Sequence, residues 1–266
     1  MFSASCIGHD GHMMTFTAFY QDLGLLLTAL VFATFVLAGA VKGVIGLGLP
    51  TVAMGLLGMA LPPAQAAALL IVPSTVTNLW QLAAGGHLRA LLRRLGPMLA
   101  MIFIGTLLGS AWLGISSGPW AAHALGGALI LYAVYGLAGP ALRIARKREG
   151  WLGPVCGLAT GVISAATGVF VMPAVPYLQS LGLSRDEMIQ ALGLAFTVST
   201  LALAVGLAGQ GALGGPALGA SLLLVVPALL GMQAGQWLRR RVSAQVFRRC
   251  FLVGLMLLGV HLLING

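Results

Sequence analysis

From residue 22 to the C-terminus the chain repeats runs of roughly 18 or more apolar residues, the length at which an α-helix crosses a ~30 Å hydrocarbon core. A membrane β-barrel would instead alternate apolar and polar residues over segments of ~10 residues, and no such alternation is present. Only 7% of the residues are charged, against about 25% in a soluble domain. The chain therefore reads as an all-α polytopic membrane protein. The candidate spans are 22–41, 44–60, 64–84, 96–114, 120–139, 151–167, 170–181, 187–209, 215–236 and 248–265. Segments 44–60 and 170–181 are short and follow their predecessors with almost no loop. They read as the second arms of hairpins or broken helices rather than as ordinary crossings.

The net charge of +9 does not point to nucleic acid, because the basic residues gather between spans. Three basic stretches read as loops: Arg89, Arg93 and Arg94; Arg143, Arg146, Lys147 and Arg148; and Arg239, Arg240 and Arg241 with Arg248 and Arg249. An excess of Lys and Arg marks the cytoplasmic side, so all three are expected there. The uncharged stretches SSGP (116–119) and GQGALGGP (209–216) are then expected outside. Trp112 and Trp120 fall at the outer interface on this reading, and Trp80, Trp151 and Trp237 near the inner one. Cys6, Cys156 and Cys250 have neither CxxC nor metal spacing, so no disulfide framework is expected. His9, Asp10 and His12 could ligate a metal, but the N-terminal segment reads as a frayed polar tail.

The two halves of the chain align at a constant offset of 122 residues: Gly39 with Gly161, Gly46 with Gly168, Leu61 with Leu183, Thr75 with Thr197, and the LLG ending at Gly109 with the LLG ending at Gly231. Equivalent loops carry opposite charge character. Arg89, Arg93 and Arg94 align with Gly211, Gly215 and Pro216, whereas Arg239 to Arg241 align with Ser117, Gly118 and Pro119. Equivalent loops on opposite sides of a membrane are the mark of inverted-topology repeats. The expected organisation is a polar tail (1–21), a first repeat (22–139), a basic cytoplasmic linker (140–150) and a second repeat (151–266). Each repeat has a Gly-rich broken or re-entrant hairpin followed by about three transmembrane helices, and both termini lie outside.

Each hairpin tip is a small-residue segment, GAVKGVIGLGLP (39–50) and GVISAATGVFVMP (161–173). Each glycine costs a helix interior about 1 kcal/mol relative to alanine, and Pro50 and Pro173 remove backbone donors nearby. Broken backbone at membrane depth is tolerated where it is buried in protein or lines a cavity, and the helix restarting after a break offers free N–H groups to an anion. Gly43, Gly46, Gly48, Thr167 and Gly168 are candidates for that role, with close helix packing as the alternative for the glycines. Lys42 is the only charge in its segment, and the chain's five acids, Asp10, Asp22, Glu149, Asp186 and Glu187, all lie in tails or at helix ends. An intramembrane cation usually faces a pathway or a partner. With no carboxylate in the span interiors, the expected counter-ion is the ligand; the competing reading is a lysine snorkelling from a helix end. Lys42 aligns with Ser164, and Thr75 and Asn78 with Thr197 and Thr200. The last two pairs are spaced i,i+3, on one helix face each, and Gln81 extends the first face. Two tips and two polar faces would enclose one central site, although Ser and Thr in helices also bond to their own backbone.

Three other features are read as structural. SRDE (184–187) is a capping box, with Ser184 as N-cap and Glu187 at N3. His123 reads as packed in an apolar span. Gly105 with Gly109, and Gly231 with Gly235, have GxxxG spacing that suits packing within the monomer or a dimer.

The order GAVKGVIGLGLP, LPPAQAAALLIVPSTVTN, basic turn, repeated as GVISAATGVFVMP and LSRDEMIQALGLAFTVST, resembles the TauE/SafE family of sulfite exporters and toluene-sulfonate uptake permeases. The resemblance runs from about residue 24 nearly to the end. It implies a bacterial inner-membrane secondary transporter for a small sulfur-containing or organic anion, such as sulfite, thiosulfate, a sulfonate or a related carboxylate. The expected partners are that anion, the lipid bilayer and a coupling ion, H+ or Na+; no cofactor, metal or nucleic acid is expected, and the chain is a monomer or a homodimer. An anion channel and an integral membrane enzyme are the competing classes. Paired carboxylates, a His–Cys cluster and a GxxxxGK[ST] nucleotide loop are all missing from the spans.

Overall fold

The computed structural model describes residues 14–83, 85–113, 120–139 and 143–265. They form helices α1 (Met14–Ile45), α2 (Leu49–Leu57), α3 (Pro63–Ala83), α4 (Leu88–Leu113), α5 (Ala121–Ala138), α6 (Arg146–Thr167), α7 (Ala174–Ser180), α8 (Arg185–Gly209), α9 (Gly215–Leu223), α10 (Val225–Leu238) and α11 (Ala244–Asn265). The described residues contain no strand. Eight helical segments among them are long and apolar enough to cross a membrane, with α1 counted from its kink at Gly24 and α9–α10 counted together. Leu26, Leu37, Leu131, Val205, Leu230 and Ile264 are exposed, as side chains that face lipid must be. The chain is a polytopic helical membrane protein.

The ten expected spans thus become eight. Segments 44–60 and 170–181 yield only α2, of nine residues, and α7, of seven. At 1.5 Å per residue, α2 is about 13 Å long, too short to cross. It is buried along nearly its whole length and packs against α1, α3, α5 and α11. Segment 215–236 is interrupted at Leu224, where Pro227 lacks the N–H that would bond the Leu223 carbonyl.

The basic stretches are helical in part where loops were expected, while Arg143 precedes α6 and Arg239 to Arg241 form the expected turn between α10 and α11. Arg89, Arg93 and Arg94 lie in α4, Arg146 to Arg148 open α6, and Arg248 and Arg249 lie in α11. Arginine is a good helix former, and its long stem carries the charge away from the apolar part of the helix. The 116–119 loop and the tail bearing Cys6, His9, Asp10 and His12 lie outside the described residues. His123 is exposed on α5 rather than packed. Cys156 and Cys250 are free thiols.

Glycine sets the closest helix contacts. A Cβ on Gly39 would sit 2.1 Å from the Ala228 carbonyl oxygen, and one on Gly231 2.0 Å from that of Val36, so α1 and α10 touch backbone to backbone. The same holds between α4 and α6, where a Cβ on Gly161 would come 2.3 Å from the Ile102 oxygen and one on Gly105 2.5 Å from that of Leu158. Without a hydrophobic drive between helices in lipid, such approach gives dispersion contact its strength. The GxxxG pairs are therefore used inside the monomer.

The long helices are tied end to end. Pro73 inside α3 leaves the Leu69 carbonyl without its intrahelical partner. Ser221 of α9 donates to that oxygen at 2.7 Å and accepts from Val72 N–H. Gln190 of α8 donates to the Leu82 and Gly85 carbonyls and accepts from His87 N–H, closing the α3–α4 turn. Ser184 and Glu187 form the expected capping box at the start of α8. Arg94 grips Glu149 of α6 with two N–H groups and also donates to the Leu181 carbonyl, while sixteen residues along α4 the Ser110 carbonyl accepts from Gln210. Those anchors are about 24 Å apart along the helix. The turn after Gln210 therefore sits at the end of the molecule opposite Arg94. Arg239 and Arg248 share a cavity with Gln179 of α7, two residues from Leu181, so they gather at the Arg94 end.

Candidate functional site

Lys42 lies in the last turn of α1 and is 2% exposed. Its ammonium donates to Thr77 Oγ1 at 3.0 Å and to Asn78 Oδ1. Both partners are neutral. The only salt bridge among the described residues joins Arg94 to Glu149. The partners belong to a polar face of α3 made by Ser74, Thr77, Asn78 and Gln81, spaced i, i+3, i+4 and i+7, and all four are buried. Thr77 passes its own proton to the Pro73 carbonyl at 2.7 Å, so its lone pair is what meets the ammonium. Asn78 Nδ2 donates to Thr200 Oγ1 of α8 at 3.3 Å, and the Thr200 hydroxyl donates to the Phe196 carbonyl. Each proton in the chain Lys42–Asn78–Thr200 has one direction.

The break after α1 lies at Gly46 to Gly48. Gly46 has φ 79° and Gly48 has φ 110°, a left-handed region that side chains with a Cβ rarely enter. The freed Gly46 carbonyl accepts from Gln81 Nε2 at 2.5 Å. Backbone irregularity beside Lys42 is thus tied to the same helix face that holds Lys42. The break after α6 is built alike: Gly168 has φ 68°, and its N–H bonds the Ser164 carbonyl at 2.8 Å, as Gly46 N–H bonds that of Lys42 at 2.8 Å. The Thr167 hydroxyl donates to Ile163 O and accepts from Val169 N–H. Met54 of α2 packs on Gly168, 2.8 Å from where a Cβ would stand, so the arm of the first break touches the second.

Lys42, Asn78 and Thr200 are joined directly, and Gly46 through Gln81. Gly48 caps α2 and packs beside Val41 and Phe251. Gly43 faces away, its Cβ position 2.2 Å from the Met232 oxygen of α10, which is a packing contact. Thr75 and Thr197 are only partly buried and donate to their own helix at Ile71 O and Gly193 O. Ser164 is fully buried but spends its hydroxyl on Thr160 O at 2.6 Å. Two members of the face, Thr77 and Ser74, were not singled out from sequence. The 3.6-residue period through Ser74, Thr77, Asn78 and Gln81 was the signal for both. On the same face, Ser74 Oγ and Gln81 Oε1 are buried and have no hydrogen-bond partner, which marks unused polar capacity beside the groups that hold Lys42.

A buried ammonium without a carboxylate partner among the described residues, backed by an amide and hydroxyls, can hold a small anion. The model for sulfite exporter TauE/SafE matches residues 31–262. The chain belongs to the TauE/SafE family. That family is one of membrane transporters of the sulfite-exporter type, so this TauE/SafE protein is a transmembrane transport protein. Neither a curated protein nor a solved structure matches the chain.

Proposed function

We propose that the protein is a secondary transporter that moves a small sulfur-containing or organic anion across the bacterial inner membrane by alternating access, with Lys42 as the anion's counter-ion. The observation that carries this reading is the buried Lys42 ammonium, held by two neutral oxygens. An ammonium has three N–H donors; two are used, and the third is left for a ligand. Asn78, Thr77, Thr200 and the uncommitted hydroxyl of Ser74 complete a small polar site. Gly46, Gly48, Thr167 and Gly168 supply the two irregular stretches around it, while Ser164, Thr75 and Thr197 line the flanking helices. Sulfite, thiosulfate, sulfonates and small carboxylates share the required negative charge and acceptor oxygens.

Inverted repeats underlie the proposed mechanism, and the packing supports them. Asn78 is bonded to Thr200, its own equivalent at the offset of 122 residues. A residue bonded to its equivalent lies near the pseudo-twofold axis, and for inverted repeats that axis runs along the membrane midplane. Gly39 and Gly231 at the α1–α10 contact are equivalent to Gly161 and Gly109 at the α6–α4 contact. Arg94 aligns with Pro216, and these stand at opposite ends of the molecule. With the basic end cytoplasmic, both termini lie outside.

Proteoliposomes test the reading. Saturable uptake of sulfite or a sulfonate, accelerated by the same anion inside, is expected from the wild type and is lost in Lys42→Gln. Flux that neither saturates nor shows counterflow would point to a channel and overturn alternating access.

A further inference from the structure

Away from the Lys42 site, two cavities share the walls α1 and α11. The first, of about 450 Å3, is wholly apolar and is lined by Leu37, Val41, Val52, Phe247, Phe251 and Leu258 among others. The second, of about 280 Å3, lies one helical turn further along, at Val44, Ile45 and Gln245, and is lined by Arg239, Arg248, Gln179 and Tyr132. Val41, Val44 and Ile45 follow one another at i, i+3 and i+4 on α1, so the two openings lie along one face. Phe247 to Leu258 spans about 16 Å of α11. The pair forms one groove with an oily length and a cationic end.

Arg239 and Arg248 are half-buried, and neither forms an ion pair with a carboxylate: the only salt bridge among the described residues joins Arg94 to Glu149. Arg239 caps α10, where a helix C-terminus favours a cation, but that accounts for only one of the two. Two arginines facing one cavity repel each other unless an anion lies between them. The outer wall of the groove includes Leu37, 51% exposed, and Gly254, also exposed, so an acyl chain can enter sideways from the bilayer.

We propose that this groove binds an anionic phospholipid, with one acyl chain between α1 and α11 and its phosphate between Arg239 and Arg248. Basic pockets between transmembrane helices hold anionic headgroups in this manner, and each cation near the surface contributes about 1 kcal/mol, or about fivefold in affinity. The groove borders the break at Gly48, whose Cβ position lies 3.3 Å from Phe251, so the bound chain would brace the arm that follows Lys42.

The test is thermal unfolding of the full chain in detergent, titrated with phosphatidylglycerol, phosphatidylcholine or inorganic phosphate. Phosphatidylglycerol should stabilise the wild type at lower concentration than phosphatidylcholine, and inorganic phosphate should do nothing. Arg239→Gln with Arg248→Gln should weaken phosphatidylglycerol by about twenty-five-fold. Gly254→Leu should abolish the selective shift by filling the groove. It keeps both arginines and adds its Cβ where no atom lies within 4 Å, so it remains informative if the arginine variant fails to fold. Exposed Arg240→Gln should behave as wild type. Equal stabilisation by the two lipids, an equal shift from inorganic phosphate, or unchanged selectivity in Gly254→Leu would overturn the proposal.

Discussion

Lys42 spends two donors on Thr77 and Asn78, and what the third does decides between a transport site and a structural lysine. Lys42→Gln keeps length and donors but removes the charge. As an anion counter-ion it is worth about 1.5–3 kcal/mol, so the variant should fold normally and bind the anion about 10- to 150-fold more weakly, read as loss of the ligand-induced thermal shift. A structural lysine predicts the reverse: removing a buried charge leaves stability equal or higher and transport intact. Lys42→Arg keeps charge but adds a planar fork, and should retain weak binding with altered selectivity. A second comparison separates neighbours on α3. Thr77→Val and Asn78→Ala should each lower anion affinity by about tenfold, the worth of one hydrogen bond, as should Thr200→Ala. Thr75→Val should leave affinity unchanged, since its hydroxyl bonds its own helix at Ile71 O and, unlike those of Thr77 and Thr200, is not bonded to Lys42 or Asn78. Wild-type affinity in Thr77→Val would remove this face from the site. Lys42 was legible in the sequence because a cation in an apolar run has so few uses. Thr77 was missed although the offset pairs it with Ser199, because the i,i+3 spacing of Thr75 with Asn78 was read as the polar face, whereas the buried face of α3 runs through Ser74, Thr77, Asn78 and Gln81.

At the scale of elements, the helices hold together through glycine faces and broken arms. Gly39→Ala would place a methyl 2.1 Å from the Ala228 oxygen, where only backbone can give way. It should destabilise the protein by about 1–3 kcal/mol, seen as a lowered unfolding temperature in detergent. Gly127→Ala on α5 is the control. Its Cβ would meet nothing within 4 Å, so the change should be neutral or stabilise by up to about 1 kcal/mol. Equal effects would show that α1 and α10 can separate at no cost. The long spans were legible because lipid demands about 20 apolar residues whatever the tertiary contacts. Their ends were not: arginine belongs as readily to the first turns of α4 and α6 as to a loop, and hydropathy ends the span where charge begins. The shortness of α2 and α7 was legible as irregularity, because Gly48 and Gly168 announce a break. How α2 is enclosed depends on partners as far off as Leu129 and Leu258, which meet Gly55, and no local pattern encodes that.

For the whole molecule, the decisive property is which end faces which compartment. The anchors on α4 put Arg94, Glu149 and Leu181 at one end and Ser110 with Gln210 at the other. Arg89, Arg93 and Arg146 line one cavity of about 790 Å3 with that first end, and Arg239 and Arg248 lie on the same side. Such a concentration of cations should be retained in the cytoplasm, because translocating them is disfavoured. Single cysteines in a background lacking Cys6, Cys156 and Cys250 make this measurable. A cysteine at Gly214, four residues past Gln210, should react with an impermeant maleimide in intact cells, and so should one at Ser117. A cysteine at Arg146 should react only after permeabilisation. Gly214 aligns with Leu92 in the first half, between Arg89 and Arg93. Labelling of Gly214 from outside, with the Arg146 end inside, would put equivalent segments of the two halves on opposite sides, as alternation between two openings related by a pseudo-twofold axis through one central site requires. If Gly214 and Arg146 react from the same side, the halves are not inverted. Lys42 would then need a different route to each side of the membrane.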